Sequence, residues 1–124
     1  VARLMLETGK TQDGVTRLQS MQKSQEPAIS LEASYRLGMY YLESDKATKA
    51  EQAFKTAMNP AGGDNYYRLS SLAQLAALYE NQGASQKAIS TYELLANSTS
   101  EERWTSAAKE RIDMLRLQAN QGSE

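Results

Sequence analysis

Neither Cys nor His occurs in the 124 residues. The side chains with chemistry to offer are 15 carboxylates, 14 lysines and arginines, seven tyrosines and one tryptophan. That inventory removes whole classes of mechanism. A thiolate nucleophile, a disulfide framework, a zinc knuckle and an iron–sulfur cluster all need Cys. A Ser-His-Asp triad and an imidazole metal site need His. What remains is acid–base work by carboxylates, phosphate capture by backbone loops, and binding by Tyr, Trp, Met and Arg. Glu101-Glu102 is better explained by a favourable helix N-terminus than by acid–base catalysis. Glu110-Arg111 reads as a solvated pair. The Gly62-Gly63 loop has no following Lys-Ser/Thr, so it is not a phosphate-binding loop. No Asp/Asn-rich segment has calcium spacing. No metal and no cofactor is therefore expected, and the chain reads as non-enzymatic. A catalytic domain built from Glu, Tyr, Lys and Arg alone would need a cluster that these residues do not form.

The binding residues must be positioned by something, and the rest of the sequence says by what. The composition is that of an ordinary globular protein: 40% hydrophobic and 23% charged residues, with a formal net charge of -1. That balance argues against nucleic acid as a partner, because a phosphate-tracking protein carries a basic face. No apolar run approaches the roughly 18 residues of a membrane span. A chain of this length buries about two-thirds of its unfolded surface, enough for a core without covalent staples. It begins at Val1 with no targeting segment before it, as a piece of a longer protein would, so an anchor or signal is expected outside it.

Apolar residues recur at three- and four-residue spacing along most of the chain, which predicts helices. Leu31, Tyr35, Leu37, Gly38, Tyr41 and Leu42 form one such set, and Ala50, Ala53, Phe54, Ala57 and Met58 a second. Leu72, Leu75, Ala76, Leu78 and Tyr79 form a third, and Ala88, Ile89, Tyr92, Leu95 and Ala96 a fourth. Short polar joints separate them. Gly9 and Gly83 suit left-handed C-caps, Ser85 an N-cap, and Pro27 a first helical turn. Thr99 and Glu102 have capping-box spacing, Ser44-Asp45-Lys46 is a turn, and 59–64 is a loop. The prediction is seven helices at about 1–8, 11–24, 27–43, 46–58, 65–82, 85–97 and 100–118, no strand, and a flexible tail over 119–124.

Leu37, Gly38, Tyr41, Ala50, Phe54 and Ala57 recur 38 residues later as Leu75, Ala76, Tyr79, Ala88, Tyr92 and Leu95. A weaker earlier copy runs through Val1, Ala2, Met5, Gly14, Leu18 and Met21. A last half-copy contains Trp104, Ala107 and Ala108. This pattern resembles the tetratricopeptide repeat family, with Leu-Gly and Tyr on a first helix and Ala and an aromatic on a second. The period of 38 exceeds the family's usual 34 or so, Ser34 stands where the family has a large residue, and Pro60 falls two residues early. The extra residues are expected in the 59–64 loop or the helix after it. The resemblance implies an all-α, right-handed α-α superhelix over 1–118, with about three helix pairs and a C-terminal capping helix. Gly38 and Ala76 would then lie at close helix crossings, and Tyr41 and Tyr79 under the next helix.

Repeats of this kind commonly bind a partner segment in the groove lined by their first helices. In that register the partner-facing residues are Arg3, Leu6, Tyr35, Arg36, Met39, Glu43, Ser70, Ala73, Gln74 and Ala77. Tyr35, Arg36 and Met39 are the strongest anchors by residue type, although Tyr35 and Met39 are equally able to pack between helices. Only Arg36 fits the cationic cluster with which some family members grip a chaperone's terminal carboxylate, so that partner is not expected. Of Tyr66 and Tyr67, one is expected in the core and the other exposed. Trp104 is expected to pack, with Lys109, Glu110, Arg111, Asp113 and Arg116 on the outside of its helix. The segments Tyr67–Glu80 and Trp104–Leu115 resemble bacterial envelope repeat proteins: outer-membrane-assembly lipoproteins, the Tol–Pal-associated coordinator, and membrane-anchored subunits that attend the Sec translocon. The resemblance implies a protein-binding scaffold in the periplasm or near a membrane, with the cytoplasm as the alternative. A self-assembling homo-oligomer is the second reading.

Overall fold

A computed structural model describes the backbone of residues 8–122 and the side chains of 12–120. Among the described residues the chain is all-helical, without strands. In chain order the helices are α1 (Thr8–Gln22), α2 (Pro27–Glu43), α3 (Ala47–Thr56), α4 (Tyr66–Asn81), α5 (Ser85–Asn97) and α6 (Glu102–Gly122), with a 3-10 turn at Pro60–Gly62. The helix expected at 1–8 lies outside the described residues, as do Arg3 and Leu6. Each helix packs on the next, and α2 also touches α4.

The repeat is visible in the turns. At the end of α2, Asp45 adopts φ 64°, Lys46 N–H donates to Tyr41 O at 2.8 Å and Asp45 N–H to Leu42 O at 3.2 Å. At the end of α4, Gly83 adopts φ 75°, Ala84 N–H donates to Tyr79 O at 2.9 Å and Gly83 N–H to Glu80 O at 3.0 Å. Both are Schellman caps, related by 38 residues. They turn α2 back onto α3 and α4 back onto α5, so matched residues meet matched neighbours. Leu37 and Leu75, Ala50 and Ala88, Phe54 and Tyr92, and Ala57 and Leu95 are all buried. Gly38 faces the Phe54 ring: a Cβ added there would fall 2.5 Å from Cδ1 and 2.7 Å from Cζ. Ser34, small where the resemblance wants a bulky residue, is buried, and its hydroxyl accepts from Gln22 Nε2 of α1 at 3.0 Å.

Three expected boundaries and one expected cap differ. Thr8-Gly9-Lys10 belongs to α1 and is not a break. One glycine costs a helix only about 1 kcal/mol relative to alanine, and the favourable residues after it carry the helix through. Ser85 opens α5 without capping it, since no side chain caps that end. Thr99 Oγ1 accepts from Glu101 N–H, two residues on, at 3.0 Å. That local turn replaces the capping box, and α6 begins at Glu102. At the other end α6 continues through 119–122, where a fraying tail was expected. Its Ala, Gln and Asn residues extend a helix already nucleated.

The joint at 57–65 is longer than the joints at 23–26 and 98–101. This loop is tied down. Asn59 Oδ1 accepts from Ala61 N–H at 3.0 Å, and Asn65 Oδ1 caps α4 by accepting from Tyr67 N–H at 2.8 Å. Arg68, only 4% exposed, donates through Nε to Met58 O at 3.1 Å and through Nη1 to Gly63 O at 2.8 Å. Burial holds its pKa below the ordinary arginine value.

Candidate interaction site

Residues from four helices form a row of rings. Tyr35 of α2 lies 6.4 Å from Phe54 and 5.7 Å from Tyr67 of α4. Tyr67 meets Tyr66 at 5.4 Å, and Tyr66 meets Trp104 of α6 at 6.3 Å, both edge-on. The Arg103 guanidinium lies 5.3 Å from the centre of the Trp104 ring. These separations suit tilted and T-shaped aromatic contacts. The row grades from core to surface: Phe54 is buried, Tyr35, Tyr67 and Trp104 are half-buried, and Tyr66 is 53% exposed. Of the Tyr66-Tyr67 pair, Tyr66 is the exposed member, but Tyr67 is half-buried against Tyr35 and does not enter the core. Their rings still touch each other, because Asn65 starts α4 immediately before them.

The sequence supports this arrangement locally. Asn65 caps the first turn of α4, from which Tyr66 reaches Trp104 near the start of α6 and Tyr67 reaches Tyr35 in the middle of α2. Arg36, exposed on α2, donates through Nε to Glu32 Oε2 at 2.8 Å. That hydrogen bond chiefly, with a smaller contribution from Tyr67, raises its pKa. Burial first, then the neighbouring Tyr66, raises the Tyr35 pKa, with Arg36 acting in the opposite direction. Tyr35 therefore stays a neutral phenol, and the row presents π-faces, hydroxyls and two arginines. Such a surface can stack on apolar or planar groups and donate hydrogen bonds. Trp104 Nε1 is buried with no partner among the described residues.

The other expected contact residues are distributed unequally. Met39 is half-buried and packs against the core, as does Ala73. Glu43 is exposed in the last turn of α2. Gln74 and Ala77 are half-buried on α4, which touches α2. Ser70 is 6% exposed and has little surface to present to a partner. Tyr35 and Arg36 are the expected residues that the structure brings to the aromatic row. No protein-family model, curated protein or solved structure matches the chain.

Two features were missed from sequence. Trp104 is a member of the row as well as a packing residue. Its place early in the last half-copy was the available signal, since it puts the ring at the start of a helix beside α4. Arg111 is half-buried and bonds to Glu80 through Nε and Nη2, where an outward position was expected. Glu80 Oε2 accepts from Tyr92 at 2.6 Å, so one carboxylate joins α4, α5 and α6. Burial pushes the Glu80 pKa up, but the hydrogen bonds from Arg111 and Tyr92 outweigh it and leave it below the ordinary value. A parallel link is Tyr79 to Glu51 at 2.8 Å, with Lys55 3.0 Å from the same carboxylate. Among the described residues, no group of three or more acidic side chains is placed to hold a metal ion, and no helix is long and apolar enough to cross a membrane.

Proposed function

We propose that the chain is a non-catalytic, tetratricopeptide-like solenoid. Its aromatic row binds a peptide or helix of a partner protein. The observation that carries this reading is the row itself: rings from α2, α4 and α6 in contact, ending in an exposed Tyr66 and flanked by Arg36 and Arg103. The row ends in Tyr66 at 53% exposure, with Arg103 over the neighbouring Trp104. Exposed Tyr, Trp and Arg residues are the types that supply most binding energy at protein interfaces. The resemblance to envelope repeat proteins makes a periplasmic or membrane-proximal scaffold the setting of choice. An anchor outside this chain is compatible with that setting, and a cytoplasmic scaffold is the alternative.

Crosslinking and affinity capture from the native source tests the reading. The doubly substituted Tyr66→Ala, Arg36→Ala protein should keep its helical circular dichroism and lose the partners held by the parent. An identical partner list for both proteins refutes the row as the binding face.

A second reading, self-assembly, has its own observation. Met114 and Leu117, three residues apart on α6, are 41% and 53% exposed. Stacking on another copy would give a mass by light scattering that rises with concentration and returns to monomer in Leu117→Lys.

A further inference from the structure

The repeat places two equivalent clefts along the molecule, on residues separate from the aromatic row. The first, of about 360 Å³, lies between α1, α2 and α3 and is lined by Gln19, Gln22, Tyr41, Lys49, Gln52 and Thr56, with Leu37 and Ala53 behind them. The second, of about 340 Å³, contains Tyr79 and Lys87, the counterparts of Tyr41 and Lys49 at the 38-residue offset. In each, the lysine Nζ lies 5.7 Å from the tyrosine ring centre. The clefts differ in what meets the phenol. Tyr79 donates to Glu51 at 2.8 Å, and that carboxylate also receives Lys55 at 3.0 Å. On α1, at the 36-residue offset that relates Gly14 to Ala50 and Leu18 to Phe54, Val15 stands for Glu51 and Gln19 for Lys55. Tyr41 therefore receives only a long contact from Gln19 Nε2, at 3.4 Å, and none of the described residues accepts its proton.

The first cleft thus keeps Tyr41 for Tyr79 and Lys49 for Lys87, and lacks both the Glu51 carboxylate and its Lys55 partner. Among the described residues its lining carries one cation, no anion, and amide and hydroxyl groups able to donate. We propose that this cleft is a binding site for a carboxylate supplied by a ligand. The carboxylate would accept from Tyr41 Oη, as Glu51 accepts from Tyr79 one repeat further on, and would lie in the field of Lys49, as Glu51 lies in that of Lys87. The carboxylate could be a peptide C-terminus or an acidic side chain. Charge-assisted hydrogen bonds are the strong ones, and the space suits two or three residues around the anion.

Amide-resolved NMR titration at millimolar ligand tests the site with three peptides. They are N-acetyltrialanine, its C-terminal amide, and an N-acetyl tripeptide amide with a central glutamate. The expected result is that the two carboxylate-bearing peptides shift the backbone amides of Gln19, Tyr41 and Lys49 and the neutral amide does not. The tighter of the two identifies the source of the carboxylate. Lys49→Met should weaken binding about tenfold, whereas Lys87→Met in the second cleft should leave it unchanged. Val15→Glu, which installs the missing carboxylate, should weaken it at least as much. Lys49 is exposed, so its substitution leaves the fold intact and keeps the test valid even if Val15→Glu unfolds α1. Equal shifts with the neutral amide, no shifts with any peptide, or full binding by Lys49→Met would overturn the proposal.

Discussion

The helix pair α2/α3 and the pair α4/α5 meet the same geometric requirement with different side chains. In the first, Gly38 lets the Phe54 ring lie against the backbone of α2. In the second, Ala76 supplies a Cβ at the equivalent crossing and Tyr92 replaces the phenylalanine. The extra hydroxyl has a destination, because Glu80 is there to accept it and Arg111 holds Glu80 from α6. The first pair has Leu42 where the second has Glu80, and no hydroxyl on its ring. Each pair is internally consistent, and the parts are not interchangeable. An apolar crossing tolerates no added volume. A polar crossing tolerates the phenol only as part of a network that recruits the next helix.

The largest effect should come from filling the first crossing. Gly38→Leu would place a side chain within the Phe54 ring and is expected to cost about 2–4 kcal/mol by overpacking. Urea unfolding measures it, and an unchanged midpoint would remove the basis of the comparison. Exchanging the rings comes next. Phe54→Tyr buries a hydroxyl where Leu42 can accept nothing and should cost about 1–3 kcal/mol. Tyr92→Phe leaves Glu80 with Arg111 alone and should cost about 1–2 kcal/mol, since a hydrogen bond to a charged group is lost. If Phe54→Tyr proved harmless while Tyr92→Phe did not, the first crossing would have room that its geometry denies.

A smaller change should go the other way. Ser71 Oγ is buried without a partner among the described residues, and the matching residue of the first pair is Ala33. Ser71→Ala should therefore raise stability by about 0.5–1 kcal/mol, read from the same denaturation curves. The smallest effect is on pH dependence. The Glu51 pKa is lowered mainly by its hydrogen bond from Lys55 and then by Tyr79, and the Glu80 pKa is lowered on balance. The stability from these depressed carboxylates is complete above the ordinary carboxylate range. It is lost as the pH falls through their folded-state values. Both carboxylates hold tyrosines of the second pair, so acid should loosen α4 and α5 first. Hydrogen exchange at falling pH should show protection leaving those helices before α2, and Glu51→Gln should flatten the acid slope of global stability.

Much of this architecture was legible in the residues. The polar joints at Ser44-Asp45-Lys46 and at Gly83 located both Schellman turns, although one uses Asp45 and the other Gly83. The three- and four-residue spacing put Leu37, Leu75, Ala50 and Ala88 in the apolar sets, and all four are buried. The terminal signals were weaker, because caps compete with propensity over only a few tenths to about 1 kcal/mol. That is why Gly9 failed to stop α1 and why Thr99 bonded locally instead of capping α6. At the candidate site, Tyr35 and Arg36 were legible because their types stand out on one helix face. Trp104 was not assigned to the row, since its contact with Tyr66 joins positions 38 residues apart. Arg111 was assigned outward for the same reason: its partner lies on a helix two elements earlier.

The guanidinium of Arg68 has a mechanical consequence. It joins the end of one repeat to the loop that leads into the next, through the carbonyls of Met58 and Gly63. A buried cation bonded to two fixed carbonyls has little angular freedom, so it works as a rivet at the joint where a repeat array would otherwise flex. Tyr35 and Tyr67 lie on opposite sides of that joint. A segment docking across them would meet a surface whose curvature is already set, and would lose less entropy in shaping it.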